Sequence, residues 1–175
     1  SCAVGRPALC EPAGVSNASG SLLGGYKRLR AVAGAGIDGK PGSALNHHMG
    51  CAAFAEYATV SRRSAVKIDP ELPWDEAALF GCAVITGAGA VVNTARAEAG
   101  SKVAVVGLGG VGFLSLLAAR AIGARAIVAV DMLESKLAKA RELGATHCFN
   151  GADPDAIAKV KEATGGGVDY AFEMA

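Results

Sequence analysis

From about residue 85 onward, apolar and polar positions alternate between two periods. Lys102–Val106 (KVAVV) is a continuous apolar run of strand length, the pattern of a parallel strand buried on both faces. Val111–Ile122 is apolar nearly all round and is expected to be a helix, and Ala126–Val130 (AIVAV) reads as a second strand. Glu134–Leu143 places Leu137, Ala140 and Leu143 on one stripe with charges elsewhere, an amphipathic helix. Thr146–Phe149, Asp153–Ala163 and Val168–Met174 continue the series as strand, helix and strand. A further helix is expected over Thr86–Ala97, with Thr86 as its cap. This order of elements predicts a parallel, doubly wound α/β sheet.

The earlier part of the chain follows different rules. Gly, Pro, Ser and Asn dominate up to about Gly50. Ala53–Val60 (AFAEYATV) and Ser64–Asp69 (SAVKID) then read as short strands, and a turn is expected over Pro70–Pro73. The division is placed between residues 84 and 85, with a β-rich region 1–84 and a nucleotide-binding type of region 85–175. A buried strand at the very end of the sequence would lack covering elements, which suggests a piece of a longer protein.

Composition removes several classes. The 175 residues are 51% hydrophobic and 19% charged, with a net charge of +1, too apolar for a disordered chain and too neutral for nucleic-acid binding. No run is expected to be long enough to span a membrane. Five cysteines, an odd number with no leader segment in view, argue against a disulfide framework. A reducing cytoplasm is the expected compartment.

The glycines carry chemistry. Directly after KVAVV stand Gly107, Leu108, Gly109, Gly110, Val111 and Gly112, and then a helix begins. Gly107 would allow the tight turn, Gly109 the approach of a pyrophosphate, and Gly112 close packing of the helix. The helix N-terminus offers free N–H groups to phosphate. Asp131 ends the second strand, roughly twenty residues further on, where a carboxylate accepts hydrogen bonds from a ribose and repels a 2′-phosphate. This favours NAD over NADP. The bland alternative is a glycine turn in another α/β protein, such as a methyltransferase. The loop Gly34–Lys40 (GAGIDGK) resembles a phosphate loop, but Pro41 stands where a magnesium-binding hydroxyl is needed, so a surface loop is expected.

Cys2 and Cys10 share a Gly/Pro-containing loop and read either as unrelated thiols or as half of a tetrahedral zinc site. Cys82 lies near the junction of the two regions, and a buried small residue is its plain alternative.

Taken together, Cys2, Cys10, AFAEYATV, VKID, GCAVITGAGAVVNTA, VAVVGLGGVG, VDMLESKLAKARELGATHCFN and GGVDYAFEMA resemble the zinc-containing medium-chain alcohol dehydrogenases. Residues Glu11–Asn46 match poorly. The resemblance implies a partial GroES-like catalytic domain followed by a partial Rossmann domain. It implies that Cys82 is one of three protein ligands of a catalytic zinc, and that Cys2 and Cys10 belong to a four-cysteine structural zinc. Thr86 would lie near the nicotinamide, Gly107–Gly112 at the pyrophosphate, and Asp131 and Lys136 at the adenosine ribose; a solvated helix lysine is the alternative for Lys136. His47, His48, Cys51 and Cys148 are expected to be structural.

The implied cofactors are zinc and NAD, the implied substrate is an alcohol or its aldehyde or ketone, and the implied assembly is a homo-oligomer. The implied reaction is zinc-assisted hydride transfer. Simple primary alcohols, aromatic alcohols and thiol–formaldehyde adducts all fit. With one of three catalytic ligands in view, the 175 residues alone are expected to be inactive. The rival readings are a zinc-free NADPH quinone or enoyl reductase, and a nucleotide-binding module without chemistry.

Overall fold

The computed structural model describes residues 10–32, 40–50 and 55–175. Cys2, Cys51, most of the Gly34–Lys40 loop and the start of AFAEYATV lie outside the described residues. Chain contacts divide the protein into two compact units, Ser1–Lys67 and Ile68–Ala175.

The first unit holds a helix that the Gly- and Pro-rich composition concealed, α1 (Glu11–Ala18). Its signal is local: Glu11 and Pro12 open it, an acid facing the helix dipole and a Pro that has no N–H to lose. Beyond it the described residues are irregular, with an antiparallel bridge between Arg30 and Ala44. His47 holds this region together. It is buried, its N–H donates to the Gly20 carbonyl (2.8 Å), and its ring Nε2 accepts the Arg28 N–H (3.1 Å). The structural reading of His47 therefore agrees with the fold.

The two strands expected in AFAEYATV and SAVKID are not formed in the described residues. Residues 55–57 bend, 58–61 are irregular, Arg62–Ser64 is a 3₁₀ turn and residues 65–69 run without pairing. The physical reason is that period-2 patterning makes a strand only when a neighbour completes the hydrogen-bond ladder. Here none lies alongside among the described residues, and Tyr57 and Val66 stay exposed. The turn at residues 70–72 does form, with the Asp69 side chain accepting the Glu71 N–H (2.9 Å).

The second unit opens with one long helix, α2 (Trp74–Thr94). It begins well before Thr86, so Thr86 is an interior residue and not a cap, and Cys82 lies within the helix rather than ahead of it. The expected domain division at 84/85 falls at a point where this helix is unbroken. Two π-helical stretches, Phe80–Val84 and Ala90–Thr94, flank Ile85–Gly89. By length and composition α2 could cross a membrane, contrary to the expectation from the sequence. Pro73 and Trp74 open it sooner than the apolar pattern suggested, since Pro fits the edge of a helix. One face of α2 packs in the second unit through Gly87 and Val91.

Four strands follow: β1 (Lys102–Val106), β2 (Ala126–Asp131), β3 (His147–Asn150) and β4 (Tyr170–Glu173). Between them lie α3 (Gly110–Ala121), α4 (Glu134–Leu143) and α5 (Ala156–Ala163). The expected Rossmann-type α/β sheet is present: all pairs are parallel, in the order β3-β2-β1-β4. Helix α5 starts later than expected. The side chain and carbonyl of Asp153 accept the N–H groups of Asp155 and Ala156 (2.9 and 3.0 Å), a local turn that competes with helix.

Alternation along the strands fixes the core. Val103 and Val105 of β1, Ile127 and Ala129 of β2 and Phe172 of β4 join Leu116 and Ala119 of α3 and Leu137 and Ala140 of α4 in one cluster. The intervening Ala104 and Val128 are buried on the opposite face. Each fully buried Val or Leu contributes about 1.5–3 kcal/mol. The Cys148 thiol contacts the Leu137 carbonyl and is half-buried, and burial pushes its pKa up.

Candidate functional site

In a parallel sheet, a ligand crevice opens at the carboxyl ends of the strands where successive connections leave in opposite directions. Here that point lies between β1 and β4, with β2 on the other side of β1. The glycine loop sits there.

After Val106 the chain turns at Gly107 with φ +86°, a conformation that favours glycine. The Gly107 N–H donates to the Val130 carbonyl (2.8 Å), which ties the loop to β2. Leu108 drives its side chain into the core, where it is 1% exposed. Gly109 caps α3 with no side-chain cap, and its carbonyl accepts the first helical bond, from the Phe113 N–H (2.9 Å). The amides of Gly110, Val111 and Gly112 therefore form a first turn without intrahelical acceptors, at the positive end of a twelve-residue helix.

A methyl group tests what each glycine is for. At Gly112 a Cβ would stand 1.9 Å from the Gly107 carbonyl oxygen. At Gly109 it would meet no protein atom within 4 Å, and φ there is −78°. The protein itself thus requires glycine at 112, whereas at 109 the fold leaves the space open. The arrangement fits a diphosphate.

Asp131 closes the far side. Its carboxylate accepts the Leu108 N–H at Oδ2 (2.7 Å), the Leu133 N–H at Oδ1 (2.9 Å) and the Lys136 ammonium at Oδ2 (3.4 Å). Burial acts to raise its pKa, but the Leu133 and Leu108 N–H groups and Lys136 outweigh it and hold the carboxyl below its ordinary range. It is an oriented anion. A carboxylate has about four lone-pair directions, so acceptor capacity is left for ribose hydroxyls. Lys136 is neither buried nor a plain solvated lysine; it is the charge partner of this acid. Met132 and Leu133 stand exposed beside Asp131.

Cys82 and Thr86 are carried by α2. Cys82 is exposed, within the π-helical stretch Phe80–Val84. One turn on, Gly87 meets α3 so closely that a Cβ would stand 2.5 Å from the Val111 carbonyl oxygen. The fully buried Ser115 hydroxyl donates toward both the Gly87 and Val111 carbonyls (3.1 and 3.0 Å). The structure therefore brings the helix of Thr86 against the first turn of α3. This contact escaped the sequence reading; the one signal for it was a serine in a helix otherwise apolar all round. Cys10 precedes α1 in the first unit and is half-buried. Among the described residues, no three His, Cys, Asp or Glu gather in a way that could hold a metal ion. The described part of the chain thus offers single thiols to zinc, not a complete ligand set.

A family profile described as zinc-binding dehydrogenase matches residues 110–175. Class-3 alcohol dehydrogenase of Caenorhabditis elegans is 38% identical over 174 residues, covering 94% of this chain and 42% of that protein. In solved structures, an alcohol dehydrogenase zinc-binding domain protein from Burkholderia ambifaria superposes with a TM-score of 0.85 at 39% identity, over 100% of this chain and 45% of that one. The chain is thus similar, along nearly its whole length, to part of zinc-binding and alcohol dehydrogenases. Benzyl alcohol dehydrogenase from Acinetobacter calcoaceticus superposes with a TM-score of 0.71 at 36% identity, over 95% of this chain and 46% of that one. The chain thus spans less than half the length of these relatives.

Proposed function

We propose that the protein is an oxidoreductase that transfers hydride between an alcohol and its aldehyde or ketone, with NAD as cofactor and a zinc ion in the catalytic site. The observation that carries the NAD half is the pairing of an open, methyl-free cradle at Gly109 with the oriented carboxylate of Asp131 across the end of β1. The amides of Gly110–Gly112 receive the pyrophosphate, aided by the helix dipole. Asp131 accepts the ribose hydroxyls. A 2′-phosphate would meet that carboxylate's charge, and Lys136 is already spent on the acid, so NAD is preferred to NADP. Bound NAD supplies the hydride acceptor; the chain's own work is to hold the cofactor's adenosine and phosphate end in place.

The zinc half rests on the likeness to zinc-binding dehydrogenases and on Cys82, an exposed thiol on the helix that packs beside the loop. Cys82 is assigned as one catalytic-zinc ligand and Thr86 as a nicotinamide neighbour. Cys2 and Cys10 are assigned to a structural zinc. Residues 1–84 belong to a GroES-like catalytic region and 85–175 to the NAD-binding region. A small alcohol or aldehyde as the substrate, a homo-oligomeric enzyme and a cytoplasmic location complete the proposal.

The test is to express the protein from its complete coding sequence, measure zinc per chain, and follow NADH formation with primary, aromatic and diol substrates, against NADP as control. Stoichiometric zinc and turnover preferring NAD are expected. NAD binding without turnover on any alcohol would refute the enzymatic reading in favour of a binding module, and turnover preferring NADP without zinc would point to the reductase branch.

A further inference from the structure

Asp131 is already at work in the free protein. Of its hydrogen bonds, the shortest goes to the glycine loop: the Leu108 N–H at 2.7 Å, from the connection after β1 to the last residue of β2. The side chain is 9% exposed.

The Leu108 N–H and the Gly107 carbonyl are two ends of one planar peptide group. Asp131 holds the N–H end. The carbonyl end lies against Gly112, so closely that a Cβ on Gly112 would be 1.9 Å from the Gly107 oxygen. Gly112 belongs to the first turn of α3, whose free amides face the phosphate site. The same peptide is fixed on either side, by the Gly107 N–H bond to the Val130 carbonyl (2.8 Å) and by the buried Leu108 side chain. A rotation of this peptide would carry its oxygen into or away from Gly112. The carboxylate, the peptide and the helix start thus form an unbroken line of contacts.

We infer that Asp131 is also a positioning residue for the pyrophosphate loop: through the Gly107–Leu108 peptide it sets the direction of the α3 amides, independently of any ribose contact. The inference rests on the dinucleotide reading above and goes beyond it. It implies that substitutions at Asp131 meant to admit NADP weaken the phosphate subsite as well, unless the new side chain keeps an acceptor within reach of the Leu108 N–H. A buried N–H that loses a charged acceptor is costly, whereas Asn retains a carbonyl oxygen at nearly the same place.

The experiment measures binding of ADP and of dideoxy-ADP, which lacks both ribose hydroxyls, to the full chain and its Asp131→Ala and Asp131→Asn variants. Amide exchange of Leu108 without ligand is followed by NMR. Asp131→Ala is expected to weaken dideoxy-ADP by about tenfold or more and to speed Leu108 exchange, while Asp131→Asn stays within about threefold of the parent in both. Should Asp131→Ala fail to fold, Asp131→Val, which likewise lacks an acceptor, replaces it. Unchanged dideoxy-ADP binding in the acceptor-less variant overturns the positioning role. The ribose role then still stands if the same variant has lost the parent's preference for ADP over dideoxy-ADP. Equal losses in Asp131→Asn and Asp131→Ala also overturn it, since charge and not the acceptor would then matter. Failure of the parent protein to bind ADP at all would overturn the dinucleotide reading and this inference with it.

Discussion

Two single-methyl substitutions, three residues apart, should fail in opposite ways. In Gly112→Ala the new Cβ would sit 1.9 Å from the Gly107 carbonyl oxygen and 3.0 Å from its carbon. Neither atom can turn aside, because both belong to a backbone held by Val130, Asp131 and the buried Leu108. The start of α3 or the loop must therefore move by roughly 1 Å to reach even tight contact. Overpacking at a site that cannot relax costs toward the upper end of about 1–3 kcal/mol, and the helix propensity gained by replacing Gly returns up to about 1 kcal/mol. The net loss is about 2 kcal/mol, or a fall in Tm of about 4–8 °C for a chain of this size.

Gly109→Ala is the counterpart. Its Cβ meets nothing within 4 Å and its φ of −78° suits any residue, so stability should stay within about 0.5 kcal/mol of the parent. The methyl does occupy the space assigned to the diphosphate, so ADP affinity should drop at least about tenfold. Thermal unfolding by circular dichroism and calorimetric titration with ADP read the two effects separately. If Gly109→Ala loses Tm while keeping ADP, or Gly112→Ala unfolds like the parent, the division between protein-imposed and ligand-imposed glycines is wrong.

Asp131 links stability to acid. Its folded pKa lies below the unfolded value, so its contribution is complete above the ordinary carboxylate range, near pH 4, and is lost as pH falls through the folded value. Asp131→Asn should show a shallower loss of stability than the parent as pH falls below about 4 in urea titrations; parallel acid limbs would refute this. Ser115→Ala removes the hydroxyl between the Gly87 and Val111 carbonyls and should cost about 1 kcal/mol in urea unfolding. No change in midpoint would show that the helix contact rests on shape alone. Cys82→Ala alters an exposed residue and should leave Tm and ADP binding intact while lowering zinc content and alcohol turnover, measured by metal analysis and NADH formation; normal turnover would remove Cys82 from the zinc site.

Much of the second unit could be read from residue order, because its signals are local. KVAVV is a strand by its unbroken apolar run, and Glu134–Leu143 is a helix by its stripe; both appear with the expected bounds. The loop from Gly107 to Gly112 and the acid at 131 were legible for the same reason: a strand, a turn and a helix follow one another within a few residues.

What escaped depends on partners distant in the chain. The two strands before residue 70 had the right alternation, but a ladder needs a neighbour, and among the described residues none lies beside them. The true start of α2 was hidden because its apolar pattern is continuous and its boundary is set by Pro73 and by packing on α3 rather than by a cap at Thr86. Most telling is Asp131. Its residue type and position announce a ribose acceptor, yet only the register that sets Val106 against Val130 brings its carboxylate to the Leu108 N–H. Local patterning determines which elements exist, since hydrogen bonding within a helix and side-chain period act over a few residues. Which polar groups meet is settled by how those elements stack.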